Sequence, residues 1–588
     1  MCLSLILAPD HGFGKRRLAK IMFQSEKVAL RTERSGPLPI VNHFLKRLAL
    51  QELLERFVPT FDRRCSLSHA KCLGVLLRSI IVEREPIYRQ QETVSTFAAA
   101  CFDLAPGEVS IIGDDKIGRA LDHLFAADRG ALLTEIVVSM AKEFSVTFEE
   151  VHNDSTTVSL CGQYRQARGR SIRGKFAPWI TYGKSKAHRP DLKQLLLVLT
   201  TTGDGAVPVQ FRCEDGNASD SKTHIETWIL LRKIAGTPKF LYVADCKLCT
   251  RENMDYIDQH DGRFVTVMPR TRLEDSEFRS WIQDHEPQWE LVCDRPNPRR
   301  RYAPRDRWWV FKYPIPSREG WPVIWVWSSL LALRQEQTRR ERIAKAVEEL
   351  GDLKQKLRNP RSRLRSASEI DRKIEQIVYA AGVPEYVRVE RRMEEDHTFR
   401  QVTPGRPGPD TEYRRKTKRR HDIVWHIDEV AIAFDRRSDG MYPLLTNDKT
   451  LSPRAVLEAH KGQPKIEKRF EQMKTVHEIA PVFLKNEGRI EALFFLYFIA
   501  LLVQALIERE LRKAMAAQDI EEIPLYPEDR VSRRPTTEQV FRLFSLAERH
   551  VLSYDGEEVK VFHPRLTDLQ REVLELLGIP ERAYKPPL

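Results

Sequence analysis

The sequence predicts a mixed α/β chain. A sheet-based core is interrupted by an inserted α+β domain and preceded by an all-helical N-terminal domain. Three observations carry this. The hydrophobic period changes from helical to strand-like near residue 146. The runs that follow read strand, strand, strand, helix, strand. Residues 271–437 then behave differently, mixing basic and aromatic residues with long helical patterns, before strand and helix patterning resumes at 438.

The length of 588 residues, with 41% hydrophobic residues, is ample for several cores. The general expectation for such a length is about three to five domains. Lys and Arg (96) outnumber Asp and Glu (83), a net charge of +13, which favours polyanionic partners, nucleic acid ahead of anionic membrane. Leu493–Val503 is the longest apolar run and holds 11 residues. A span needs about 17–25, so the run reads as a buried core helix and no membrane partner is expected. The opening MCLSLILAP has no preceding basic residues and no small-residue cleavage site, so it does not read as a secretory signal. Nine cysteines without regular spacing point to thiols in a reducing cytoplasm. Cys246 and Cys249 form the one close pair, with no second pair to complete a structural zinc site.

Residues 1–37 read as a basic, poorly patterned tail. From 38 to 145 the pattern is helical: Ile40, Phe44 and Leu48 step by four, and Asp114 opens a helix carrying Ile117, Leu121, Leu124 and Phe125. Leu132, Leu133, Ile136, Val137 and Met140 share one face of another. This is a small helical domain, with DNA binding as the pointed alternative to a purely structural role. FSVTFEEVHNDSTTVSL then reads as a strand entering a polar turn, and LKQLLLVLTTTGDGAVPVQF as a hairpin around Gly-Asp-Gly. A helix over Ser221–Ile234 and the short strands in KFLYVAD and GRFVTVMP follow. That order is the opening order of the ribonuclease H-like fold.

In the middle block, Asn297–Trp309 interleaves basic and aromatic residues, a pattern that suits DNA contact. WPVIWVWSS reads as a strand. Ile343, Val347, Leu350 and Leu357 mark a long helix ended by Asn359-Pro360, and Ser366 with Glu369 opens a second as a capping box, so a helical hairpin is expected. Arg414–His421 packs six Lys or Arg into eight positions and reads as a solvated loop or sheet edge. FDRRSDGMYPLLTND returns to strand patterning within a second core segment, 438–512. Ser452–Glu510 is helical, and 513–588 is a mostly helical C-terminal region.

Three acids stand out by placement. Asp154 ends the first core strand, Asp245 ends KFLYVAD, and Glu467 begins a helix in PKIEKRFEQMK. Singly, each is most often a turn or cap residue. Together, on this strand order, they can converge on two divalent cations that clamp an in-line phosphoryl displacement, and hard oxygen ligands suit Mg2+ or Mn2+. Lys474 lies two helical turns beyond Glu467 on the same face, with Glu471 between them as the runner-up third acid. Lys184, Lys186, His188 and Arg189 cluster before a core strand, either as phosphate contacts or as a solvated basic turn. The near-match to a phosphate loop at Gly169–Lys175 fails because Phe176 fills the Ser/Thr position.

The segments VHNDSTTVSLCGQY, YGKSKAHRPDLKQLLL, LYVADCKLCTREN, DGMYPLLTND and IEKRFEQMK resemble the DDE transposases of bacterial insertion sequences. The resemblance is to the superfamily with a Y-x2-R-x3-E-x6-K signature, and to its large members with a helical hairpin insertion. It runs from about residue 38 to past 510, and SKAHRPDLKQ is its most specific piece. It implies a ribonuclease H-like core whose Asp154, Asp245 and Glu467 bind two magnesium ions. It also implies double-stranded DNA (terminal inverted repeats and target) as partner, with residues 38–145 binding the ends. A homodimer on DNA and a place in the bacterial cytoplasm with the nucleoid follow from the same likeness. The signature Lys falls on Lys474. Its Tyr position is His460, which can still donate to a phosphate, and its Arg position is Gln463, which carries no charge. Those departures keep open a DNA-binding relic that no longer cuts, and a cellular nuclease or resolvase on the same fold is a separate alternative.

Overall fold

The computed structural model describes residues 28–585 apart from 63–64, 166, 187, 298–302, 360, 363, 365, 481 and 483. Most of the expected basic tail (1–27) and the arginines at 299–301 lie outside the described residues. The chain divides into two compact units, one formed by residues up to Phe264 together with Ala459 onward, the other by Val265–Glu458.

In the first unit, β1 (Val28–Arg34) pairs antiparallel with Glu548–Tyr554, which continues into Glu557–Phe562. Residues 28–34 are therefore a strand and not tail, and the C-terminal region is not simply helical. The signal was Asp555-Gly556, both at positive φ (54° and 85°), the two-residue turn that closes tight hairpins. Helices Leu38–Arg47, Leu50–Phe57, His69–Val82, Asp114–Ala126 and Arg129–Phe144 follow. Their apolar faces pack around Glu487–Ala517, whose most apolar stretch is 89% buried, so this long helix is the unit's core. Arg489 forks onto Asp122 at 2.8 Å and Arg129 reaches Glu491 at 2.7 Å, tying the two ends of the chain together.

The sheet of this unit begins with β2 (Glu150–Leu160), β3 (Lys193–Thr202) and β4 (Pro208–Glu214), all antiparallel. The turn between β3 and β4 places Gly205 at φ +77°, where its missing Cβ lets the Arg509 side chain approach. After helix His224–Ala235, β5 (Leu241–Ala244) pairs parallel with β2 over Glu150–Asn153. The chain order strand, strand, strand, helix, strand is the one expected of a ribonuclease H-like core, and in space it gives β4-β3-β2-β5. Phe498 of the core helix stacks on Phe211 of β4 at 5.7 Å, fixing helix to sheet.

In the second unit, Leu444–Thr446 pairs with Val265–Val267, and Met441–Leu445 also pairs with the strand Val323–Ser328. Asp306–Lys312 and Glu290–Arg295 extend the same antiparallel sheet. The strand Met441–Thr446, expected in the second core segment, thus belongs with this unit. Trp309 packs on Trp327 at 4.3 Å, Trp308 donates to Asp306 at 2.7 Å, and Arg305 and Arg307 pair with Asp294. The described part of the Asn297–Trp309 stretch is therefore sheet packing and not an open stacking platform for bases. Helices Ser329–Arg358 and Ala367–Ala381 form the hairpin, although the Ser366 hydroxyl meets Ser368 at 2.8 Å and caps nothing. The basic run Arg414–Arg420 is a solvated edge strand and not a loop. It lies in one strand of a two-stranded ribbon, Val387–Gln401 with Tyr413–Ile427.

Arg469 in the first unit is 5% exposed, and it donates to Glu508 (2.9 Å), Gln472 (2.8 Å) and the carbonyls of Gly205 and Ala206. Truncation would leave Glu508 and two carbonyls without their main donor. Breaking such a buried pair costs about 3–5 kcal/mol, and Arg512 at 3.4 Å from Glu508 keeps this case at the low end. Arg469→Ala should lower the first thermal transition of the full-length protein clearly. An unchanged melting profile would mean the network contributes nothing.

Candidate active site

Asp154 follows directly on the last parallel pair, Asn153 with Ala244, and Asp245 follows Ala244. The register therefore sets the two aspartates side by side on neighbouring strands, which lie about 4.8 Å apart. Contrary to expectation, Asp154 does not end its strand, since β2 runs on to Leu160 on β3 alone. The Asp154 carboxylate accepts the Ser155 N–H at 2.7 Å, and that of Asp245 accepts the Lys247 N–H at 2.9 Å. Glu467 lies exposed in the first turn of Pro464–Glu471, where the helix N-terminus favours a carboxylate.

Asp154 is the carboxylate most perturbed by this setting. Burial pushes the Asp154 carboxyl up to about 6, the nearby charges of Asp245 and Glu467 push the same way, and Lys186 and the Ser155 N–H oppose them. Two ammonium groups complete the site. Lys474 Nζ donates to Thr156 Oγ1 at 2.6 Å. Its pKa is lowered by burial and by Lys186, with Asp154 acting against both. Lys186 Nζ donates to the Ser155 carbonyl and hydroxyl, both at 2.7 Å, and pairs with Asp220 at 3.0 Å. Among the described residues, no three His, Cys, Asp or Glu side chains are gathered tightly enough to chelate an ion as they stand. The donor chemistry nevertheless fits a hard divalent cation: three carboxylate groups, two part-buried and one, Glu467, exposed.

The helix that carries Glu467 is held to β2 by its start. Helix Pro453–Gly462 passes into Pro464–Glu471 through Gln463, whose backbone stays helical. Pro464 has no N–H, so the ladder is interrupted there. Gln463 uses its amide as a strut: Nε2 donates to the Asn153 carbonyl at 2.9 Å, and Oε1 lies 3.3 Å from His152 Nδ1. Past Glu471 the chain widens into a π-turn, Gln472–Val476, with the His477 N–H returned to the Gln472 carbonyl at 2.9 Å. Such turns are rare and recur at functional sites. The simple helical phase linking Glu467 to Lys474 is therefore altered, yet both still reach the surroundings of Asp154.

Not every expected contact is at this place. His460 sits beside His152, where burial, Lys461 and His152 push its pKa down to about 4. It is therefore neutral at pH 7, an imidazole with one N–H donor and no charge. His188 is exposed at φ +55°, and Arg189 forks onto Asp191 at 2.7–2.8 Å, so among the described residues neither touches the three acids. Glu471, the runner-up acid, lines a different cleft with Lys468 and Thr475. Thr156, Ser155 and Asp220, which hold the two lysines, do not stand out in the sequence one by one. Their signal is the polar run Asn153–Thr157 inside a strand that should be apolar.

The model of the family described as "Transposase DDE domain" matches residues 150–503, more than half of the chain. The chain belongs to the DDE transposase family. A domain of unknown function (DUF4277) matches residues 31–138, most of the N-terminal helical region. No curated protein matches the chain. Among solved structures, it is similar to a piggyBac transposase synaptic complex with hairpin DNA, at 10% identity and a TM-score of 0.28. That match covers 49% of this chain and 60% of the other. It is also similar to a Mos1 transposase paired-end complex with left transposon end, at 11% identity and a TM-score of 0.14, covering 35% and 60%. The chain thus spans about three fifths of the length of either structure. Members of the DDE family generally use a divalent metal.

Gly462 is where helix and strand come closest. A Cβ there would meet the His152 ring at 2.4 Å, and His152 is fully buried. Gly462→Ala should therefore push the Glu467 helix off β2, at a cost of about 1–3 kcal/mol, seen as a lower melting temperature. Gly107→Ala, at a position with open space around it, is the control and should melt as wild type.

Proposed function

We propose that the chain cuts DNA at the ends of a mobile element and joins those ends to a target, by in-line attack on phosphodiesters. In this reading Asp154, Asp245 and Glu467 hold two divalent ions, Mg2+ or Mn2+. What supports it is the parallel register that sets Asp154, inside β2, beside Asp245 at the end of β5, with the Glu467 helix close enough for its charge to act on Asp154. When bound, such a pair of ions activates the attacking oxygen and neutralises the leaving one.

The rest is work for the chain's own residues. An ammonium has three N–H donors. Those of Lys186 are already committed to Ser155 and Asp220, so it acts as a fixed charge that offsets the acids. Lys474 spends one donor on Thr156 and keeps the others, so it is the group that would hold a non-bridging oxygen of the scissile phosphate. The helical region 38–145 would recognise the element's ends. Two copies would bring two ends together, acting where the nucleoid lies in a bacterial cytoplasm.

Asp154→Asn, Asp245→Asn and Glu467→Gln should each reduce cleavage of an end-bearing duplex about 100-fold or more in Mg2+, with duplex binding unchanged. The same variants should show weakened Mn2+ binding in a titration that needs no turnover. Lys474→Met should slow cleavage with little change in metal binding. Glu471→Gln should behave as wild type, and a dead Glu471→Gln would move the third acid. A wild-type protein that binds the duplex but never nicks it, in either metal, would make the chain a relic.

A further inference from the structure

The ribbon of the second unit is anchored at one end only. At its base, Val387 and Ile423 are buried with Ile343, Leu350 and Ile370 of the helical hairpin, and Arg391 pairs with Asp371 at 2.8 Å. Each strand has 15 residues. At about 3.3 Å per residue that is roughly 50 Å of ribbon, most of it beyond the hairpin. A lone two-stranded ribbon is only marginally stable, so its outer half is held up mainly by its anchored base.

Charge is distributed unevenly along it. From the base to just past the middle each arginine has an acid: Arg388 pairs with Asp428, Arg392 with Glu390, Arg420 with Glu394 and Asp396, and Arg419 with Glu395. Towards the tip, Arg400, Arg414, Arg415, Lys416 and Lys418 form no ion pair among the described residues. Arg400 lies directly opposite Arg414. Like charges at facing positions destabilise a strand pair, so the fold alone does not favour this arrangement. Edge strands often carry lysines that discourage aggregation. That does not explain why Phe399 (64% exposed) and Tyr413 (50%) stand open beside Arg415. Register puts Phe399, Arg415 and Tyr413 on one face, and Arg400, Arg414, Lys416 and Lys418 on the other.

We propose that the outer half of this ribbon is a duplex-DNA contact, tracking phosphates with those five cations. It rests on DNA being the substrate and adds a grip made by residues of the second unit, away in sequence from the helical region 38–145. A B-form major groove, about 12 Å wide, admits a two-stranded ribbon. Exposed cations that no acid of the protein takes up are available to an anionic partner, and a regular double row of phosphates offers one.

The test uses the full-length chain and a fluorescent duplex without divalent metal, with affinity followed as KCl rises. Replacing the five cations together (Arg400→Gln, Arg414→Gln, Arg415→Gln, Lys416→Gln, Lys418→Gln) should weaken binding at least tenfold. The slope of log affinity against log salt should fall by about 0.9 for each phosphate that is no longer neutralised. Arg400→Lys with Arg414→Lys and Arg415→Lys should keep the slope. Lys416→Glu alone, melting as wild type, should still weaken binding and so answers any misfolding of the fivefold variant. Equal affinity and slope in the fivefold variant overturn the proposal. So does a loss confined to phosphatidylserine vesicles, which would make the ribbon a membrane contact. A wild-type chain that binds no duplex would sink the DNA reading itself, together with the ribbon's role.

Discussion

Asp154 can face Asp245 only because β2 has different neighbours along its length. Over Glu150–Asn153 it is gripped on both sides, antiparallel by β3 and parallel by β5. Beyond Asn153 the parallel partner stops, and β2 continues on β3 alone. An acid at 154 is thus fixed by four ladder positions immediately before it, with its side chain only partly exposed. A slip of one residue would turn Asp154 to the other face. The apolar burial of Leu195–Leu199 on the adjoining strand makes such a slip costly. The helix that brings Glu467 is set against the same strand segment through Gln463 and Gly462. One short stretch of backbone, Glu150–Asn153, therefore positions the surroundings of all three carboxylates.

That arrangement builds unfavourable electrostatics into the fold. On the proposed assignment three acids share the site, and Lys186 and Lys474 are cations set against them. Both lysines are tied to β2 itself, one through Ser155 and one through Thr156. Strand residues next to Asp154 thus select where positive charge sits. Asp220 holds Lys186 in turn, so the compensation is structural and fixed before any substrate arrives. The repulsion that remains at Asp154 is the part a cation would relieve.

Much of this is legible in the sequence because it follows from local pattern. The change of hydrophobic period marks the start of the sheet, and apolar runs ending in Asp locate Asp154 and Asp245. The pairing of β1 with Glu548–Tyr554 is not legible, since it joins segments more than five hundred residues apart. The Asp555-Gly556 turn marks a hairpin but cannot name the third strand that joins it. The π-turn after Glu471 has no sequence signature, so helical phase alone cannot place Lys474. Arg414–Arg420 looks like a solvated charge run because its partner strand, Val387–Gln401, mixes acids and bases without the alternation that marks a half-buried strand. A ribbon exposed on both faces has no apolar face to reveal it.

The position expected to hold a charged Arg is occupied by Gln463, 8% exposed and bonded to backbone. A neutral amide there locks helix to strand without adding a buried charge that would need its own partner. His460, one turn earlier, is likewise kept neutral by its surroundings. On the proposed assignment, the duty of gripping the cleaved strand leaves this helix face. Near the acids it falls to Lys474, which alone of the two site lysines retains donors for a phosphate. One ammonium can hold a phosphate oxygen but cannot fix the direction of a duplex tens of ångströms long. Orientation must then come from contacts elsewhere on the chain. A ribbon with unpaired cations at its tip is the kind of element that such a site requires.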